Sequence, residues 1–244
     1  MSVSGELIMD SFKESFLIAF NLILMGDSQL IEIVALSMKV SLIATLCASV
    51  IGISLGVALS ILRFYGRTPL IILINGFMGL PPVVVGLLLY MLLSKNGPLN
   101  FLNILYSPSA MILAQFVIIL PVVASLSQEI LSGYFEEYKD QLRVLGRKNL
   151  SIAITLIWEG RFRLFTAVVA GLGRAVGEVG AVMIVGGNIN HVTRVMTTSI
   201  ALETSRGDLN LALALGIILV SVSIIINGAL FYLRRLSEAL DGDA

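Results

Sequence analysis

An all-α membrane protein of about five transmembrane helices is the fold class that this sequence predicts, and three observations predict it. Hydrophobic residues make up 57% of the 244 and charged residues only 13%, about half the charged share of a soluble domain. The mean hydropathy is +0.96. The apolar residues also fall in charge-free runs of roughly 20, the length a helix needs to cross about 30 Å of hydrocarbon.

Four of those runs are clean. They are 40–62, bracketed by Lys39 and Arg63; 69–93; 109–128; and 209–233, closed by Arg234 and Arg235. A fifth, 164–185, is as long but contains Arg174 and Glu178. Its Gly- and Ala-rich flanks suit close packing between membrane helices, so it counts as a span. The apolar stretch Ser15 to Met25 is too short to cross and is expected as an N-terminal interfacial helix. A sixth span there is the other reading, reached if the helix tilts and recruits its neighbours. The first ten residues carry no Lys or Arg, so no cleavable signal is expected. Cys47 is the only cysteine, which excludes an intramolecular disulfide and a cysteine metal cluster and leaves a small packing residue.

The chain thus divides into an N-terminal segment 1–29, a transmembrane domain 30–233 with a long loop at 129–163, and a C-terminal tail 234–244. Sixteen basic and sixteen acidic residues cancel, so no field points to nucleic acid as a partner; the lipid bilayer is the expected one. Lys and Arg are nonetheless unevenly placed. Arg63, Arg67, Lys139, Arg143, Arg147, Lys148, Arg161, Arg163, Arg234 and Arg235 fall on one side of a five-span layout. Lys13, Lys39, Lys95, Arg194 and Arg206 fall on the other. Ten against five makes the richer side cytoplasmic, with the N-terminus outside and the C-terminus inside. No internal repeat is evident, whereas inverted-repeat secondary transporters carry matched broken segments in two halves.

Within the spans, Ala44, Ala48, Gly52, Gly56 and Ser60 recur every fourth residue and line one helix face. Small residues at that spacing let another backbone approach, either within the chain or from a second subunit. Pro81 and Pro82 fall mid-span. Proline removes a backbone donor and kinks a helix, so this span is either bent around a pathway or merely kinked. Arg174 and Glu178, four apart, would share one face of a continuous helix near the membrane midplane. They are a structural ion pair or part of a hydrophilic path.

The loop 129–163 is too long for a simple connection. Apolar Leu142, Leu145, Leu150, Ile152 and Ile154 alternate with Lys139, Asp140, Arg143, Arg147 and Lys148, which suggests short amphipathic helices interrupted at Gly146. The stretch Asp140-Gln141-Leu142-Arg143-Val144-Leu145-Gly146 resembles the EAA loop, E-A-A-x-x-x-G, of type I ABC importer permeases. Asp140 stands where that family has Glu, Gln141 and Leu142 where it has Ala, and Gly146 matches. The usual continuation I-x-L-P is replaced, with Leu156, Trp158 and Glu159 falling there. Residues 173–181, GRAVGEVGA, followed by Gly186-Gly187-Asn188-Ile189, resemble the oxyanion branch of molybdate, tungstate and sulfate permeases. Residues 193–208 and 75–86 look most like the tungstate-type permease, and the resemblance covers about residues 30 to 233.

That resemblance implies the type I ABC importer fold, with a cytoplasmic coupling helix around Asp140, Gln141, Leu142, Arg143 and Gly146. It implies import of a tetrahedral oxyanion, tungstate or molybdate, by a homodimer of this chain. Two cytoplasmic ATPase subunits and an extracytoplasmic oxyanion-binding protein would be its partners. The chain is not expected to be an enzyme: it has no G-x-x-x-x-G-K-[ST] phosphate loop and no catalytic residues or metal site. It would bind no cofactor, with ATP and Mg held by the partner ATPase. In the outer segment, Thr193, Arg194, Thr197 and Thr198 are candidates for substrate hand-over or ordinary surface residues. Arg174, Glu178, Pro81 and Pro82 are the path candidates. The rival class is a stand-alone secondary transporter or channel, which would need coupling-ion ligands; beyond the Arg174/Glu178 pair only Asn75, Gln115 and Asn227 are available in the spans.

Overall fold

The computed structural model describes residues 16–144 and 149–242. Leu145, Gly146, Arg147 and Lys148 lie outside the described residues, as do the side chains of Leu142 and Arg143. Among the described residues the elements are all helical. Three helices are long and apolar enough to cross a membrane, and five spans result if each of two bent helix pairs is one span.

Helix α1 (Phe16–Met25) is ten residues, about 15 Å long, half of what crossing requires. Its Ala19 packs with Leu30, Ile33, Met196 and Leu215. Helix α2 (Ser28–Ile61) begins upstream of the expected position 40 because the Asp27 carboxyl accepts from the Leu30 N–H at 3.0 Å, an N-cap. Lys39 therefore lies within the helix rather than bracketing it.

Two-faced packing of α2 organises the bundle. Ser37, Ser41, Ala44, Thr45, Ala48, Ser49, Gly52, Gly56 and Ser60 are buried, while Leu42, Ile43, Leu46, Val50 and Ile51 are exposed. Large apolar side chains gain nothing by leaving lipid, so the small and polar face goes inside. It meets helix α5 (Pro108–Val144). A Cβ on Gly56 would lie 2.6 Å from Ser127 Cβ and 2.9 Å from the Gln128 nitrogen, and one on Gly52 3.1 Å from the Ala124 nitrogen. Ser60 Oγ donates to the Gln128 carbonyl at 3.1 Å. The every-fourth small residues thus seat α5 within the same chain. Cys47, expected as a packing residue, is on the exposed face of α2.

The second span is broken. Helices α3 (Arg67–Phe77) and α4 (Pro82–Leu93) meet at 101°. Pro81 caps α4 and Pro82 opens it, where a missing N–H costs no helical bond. None of α3's residues is buried; Asn75 Oδ1 accepts from Ser125 Oγ of α5 at 2.6 Å. Pro121, by contrast, leaves α5 continuous. That helix runs on through the first half of the expected loop, so residues 129–144 extend the third span rather than fold separately. Helix α6 (Asn149–Glu159) folds back, burying Ile152 and Leu156 with Leu131, Tyr134 and Leu164.

The fourth span is also broken, into α7 (Arg161–Val176) and α8 (Gly180–Gly186) bent by 60°. Both halves pack tightly: Gly171 faces Ile119 and Val123 of α5, and Gly86 of α4 faces Ala181. The expected outer loop is largely helical, as α9 (Met196–Arg206), followed by α10 (Leu209–Gly242), which continues past Leu233. The bundle therefore has an α6 end and an α9 end, joined by α2, α5 and α10.

Gly56→Ala is expected to destabilise the chain by about 1–3 kcal/mol through overpacking against α5. Gly216→Ala on α10, where nothing lies within 4 Å, should be neutral or stabilising by up to about 1 kcal/mol. Unfolding midpoints of the two purified variants in one detergent check this.

Candidate functional site

The junction between α7 and α8 gathers the buried polar groups. A broken helix leaves carbonyls and N–H groups without intrahelical partners, and inside a membrane the protein must supply them. Gln115 of α5 does so from one side, its Nε2 donating to the Ala175 carbonyl at 3.0 Å. Thr197 of α9 does so from another, its Oγ1 donating to the Glu178 carbonyl at 2.8 Å. The Glu178 side chain accepts from the Ala181 N–H at 3.1 Å and so caps α8. Met196, first residue of α9, donates its N–H to Ser37 Oγ of α2 at 2.8 Å. Three neighbouring helices thereby hold one break.

Arg174 and Glu178 do not form an ion pair here. The spacing of four brings two side chains together only while the helix continues, and α7 stops at Val176. Arg174 sits in the last turn of α7 and Glu178 at the start of α8, so each charge lies at the helix end whose dipole favours it. Glu178 is buried; Arg174 is half-buried, and its Nε is enclosed without a hydrogen-bond partner among the described residues. Beside Glu178 lies a cavity of about 10 Å³, bounded by Ser37, Ser41, Gln115 and Thr197. That is near the smallest volume that holds a water.

The four outer-segment candidates are not surface groups. Thr193 Oγ1 donates to the Gly186 carbonyl at 2.6 Å and accepts from the Ile189 N–H at 2.9 Å. Thr198 Oγ1 lies 2.9 Å from Asn188 Oδ1, and Thr197 is committed to Glu178. Arg194 and Arg206 flank the buried Glu203 carboxyl at 3.8 and 3.3 Å. The three threonine hydroxyls thus close turns and helix starts at the α9 end, while Arg194 keeps an enclosed Nε without a hydrogen-bond partner among the described residues. His191 Nδ1 lies 2.8 Å from Glu32 Oε2.

At the opposite end, Asp140 and Gln141 are exposed on the last turns of α5. Helix α6 exposes Leu150, Ile154 and Trp158, one every fourth residue, with the Arg161 guanidinium over the Trp158 ring at 4.8 Å. The other intramembrane amides are locally engaged, Asn75 with Ser125 and Asn227 with the Ser223 carbonyl at 2.8 Å. Sequence reasoning missed the brace made by Gln115, Thr197 and Ser37. Only the hydroxyls of α2, at positions 37, 41, 45 and 49, left a readable signal, their spacing of four.

No family model matches the chain. Individual relatives do. The tungstate uptake system permease protein TupB of Peptoclostridium acidaminophilum is 38% identical over 227 residues, covering 93% of this chain and all of that protein. The chain belongs to the oxyanion branch of the ABC importer permeases. A probable anion ABC transporter permease protein of Haloferax volcanii is 36% identical over 83% of this chain and 91% of its own length. TupB of Campylobacter jejuni is 33% identical over 94% and 95%. The permease family accounts for the all-helical, multi-pass architecture described above.

Glu178→Ala should cost about 1–2 kcal/mol by removing the cap of α8, whereas Glu178→Gln keeps an acceptor there and should be tolerated. Thermal unfolding of both variants in the same detergent decides it. Equal stability of Glu178→Ala and wild type would remove the capping role.

Proposed function

We propose that this chain is the membrane-spanning subunit of an ATP-driven importer for a tetrahedral oxyanion, tungstate first and molybdate second. The observation that carries the reading is the match, over 93% of this chain, to a permease named for tungstate uptake. As a permease subunit it is not itself an enzyme; ATP and Mg belong to separate ATPase subunits, and a binding protein delivers the oxyanion. The excess of Lys and Arg on the α6 end supports a cytoplasmic location for that end, with the N-terminus outside and the C-terminus inside.

The working unit is a homodimer. Its support is α3, which is bent away from its own continuation and has no buried residue in the single copy. Coupling to the ATPase is assigned to Asp140, Gln141, Leu142, Arg143 and Gly146, where the sequence follows the EAA pattern. The exposed Leu150, Ile154 and Trp158 of α6 supply a neighbouring apolar ridge for the same contact. ATP binding would then favour one of two packings of the bundle, with the breaks at Pro81-Pro82 and at Gly177 as the points where helix directions change.

Arg174 is assigned to the translocation path. It is a cation without a counter-ion among the described residues, on a partly uncovered face of α7 with Thr166, Ala170 and Gly177. A passing dianion gains from such a charge in low dielectric, and the Glu178 carboxyl, turned to α8, does not cancel it by direct contact.

Vesicles holding the chain with its ATPase and binding protein should accumulate tungstate only with ATP, and the chain alone should not; uptake by the chain alone would favour a stand-alone transporter or channel. In the complete system Arg174→Ala should reduce uptake at least about tenfold, the worth of roughly 1.4 kcal/mol, against little change for Arg206→Ala. Gly146→Leu should leave the complex assembled and hydrolysing ATP while uptake falls. Normal uptake by that variant would sink the coupling assignment.

A further inference from the structure

A larger opening lies at the α9 end, away from the α7–α8 junction. In the turn between α4 and α5 a cavity of about 530 Å³ is lined by Tyr90, Lys95, Asn96, Asn100, Asn103 and Tyr106. The polar lining is rich in donors and contains no carboxyl. Lys95 is the only charged residue between Arg67 and Glu129. Neither it nor the three asparagine side chains has a hydrogen bond or ion pair among the described residues. One ammonium and three carboxamides therefore stand unengaged around one space.

At one point the backbone of this lining is held in an unfavourable state. Asn103 and Tyr106 have φ of 52° and 59°, the left-handed region, which asparagine tolerates but a bulky tyrosine adopts only when its surroundings hold it there. Tyr106 is held by its N–H, which donates to the Val185 carbonyl at 2.9 Å. Its ring lies against Gly187, where a Cβ would come within 2.8 Å of it. The result sets the Tyr106 ring beside Tyr90, with centroids 6.4 Å apart. The neighbouring Tyr90 phenol, with burial adding, raises the Tyr106 pKa above the usual tyrosine value.

We propose that this cavity is an anion-receiving site that takes one tetrahedral oxyanion at the outer end of the bundle. Lys95 supplies the charge, while the amides and a phenol supply further donors. A neutral polyhydroxy solute would suit the amides but would leave Lys95 without purpose; an anion uses both. One charge open to water binds weakly and is screened by salt, which suits a place of passage rather than of storage. The inference rests on the importer reading for the identity of the oxyanion, not for the presence of the site.

Equilibrium dialysis of sodium tungstate against the full chain in neutral-lipid nanodiscs tests it. Wild type should bind one equivalent, with affinity falling as sodium chloride is added. Lys95→Gln should weaken binding about tenfold, the worth of one charge-assisted hydrogen bond, and Lys95→Arg should retain it. Lys95 is exposed, so neither variant threatens folding. Equal binding by Lys95→Gln, or none by wild type, overturns the site. Uptake by the assembled importer is measured in parallel. Uptake without Lys95-dependent binding sinks the cavity and leaves the importer reading; Lys95-dependent binding without uptake of tungstate, molybdate or sulfate sinks the importer reading and leaves the cavity.

Discussion

A backbone N–H or C=O inside hydrocarbon has no water to turn to, and leaving one unpaired costs several kcal/mol. A continuous helix meets that demand by itself. This chain breaks two of its spans, at Pro81-Pro82 and at Gly177, and the arrangement of the other helices follows from what those breaks require. Gln115 from α5, Thr197 from α9 and the Glu178 side chain close the second break. Ser37 of α2 holds α9 where Thr197 can reach. Three helices are thus tied to one point of irregular backbone.

At this point the span changes direction by 60° while its surroundings stay packed. The break lies between well-packed halves, with Gly171 against α5 on one side and Gly86 against Ala181 on the other. Each half is thus held by its own neighbours, and the bend is confined to the residues around Gly177. The seam between α2 and α5 gives the opposite behaviour. Its glycines admit backbones so closely that the two helices act as one body, and the large apolar side chains of α2 are left outward. The molecule thus combines one closely packed seam with one bent span.

Charge follows the same division. Arg174 and Glu178 are separated by the break and assigned to opposite helix ends, so one cation remains facing an uncovered stripe. At the α9 end Glu203 takes two arginines, while Lys95 has no acidic neighbour in its cavity.

What the sequence determined by itself was the apolar, all-helical membrane architecture, the small-residue seam and the family. Each depends on local or repeating information: apolar length sets a crossing, a spacing of four sets a helix face, and short motifs set the resemblance. Pro81-Pro82 likewise announced a break because proline lacks an N–H. What only the tertiary structure decided was everything that required knowing where another helix stands. The Arg174/Glu178 spacing implied a pair only on the assumption that the helix continues through Gly177, which nothing in that spacing tests. Thr193, Thr197 and Thr198 carry the same hydroxyls whether they face solvent or close a turn, and contacts with Gly186, Glu178 and Asn188 chose the second. The cavity around Lys95 was equally silent, because its lining includes the left-handed Tyr106, whose position depends on Val185 and Gly187 from a distant part of the chain.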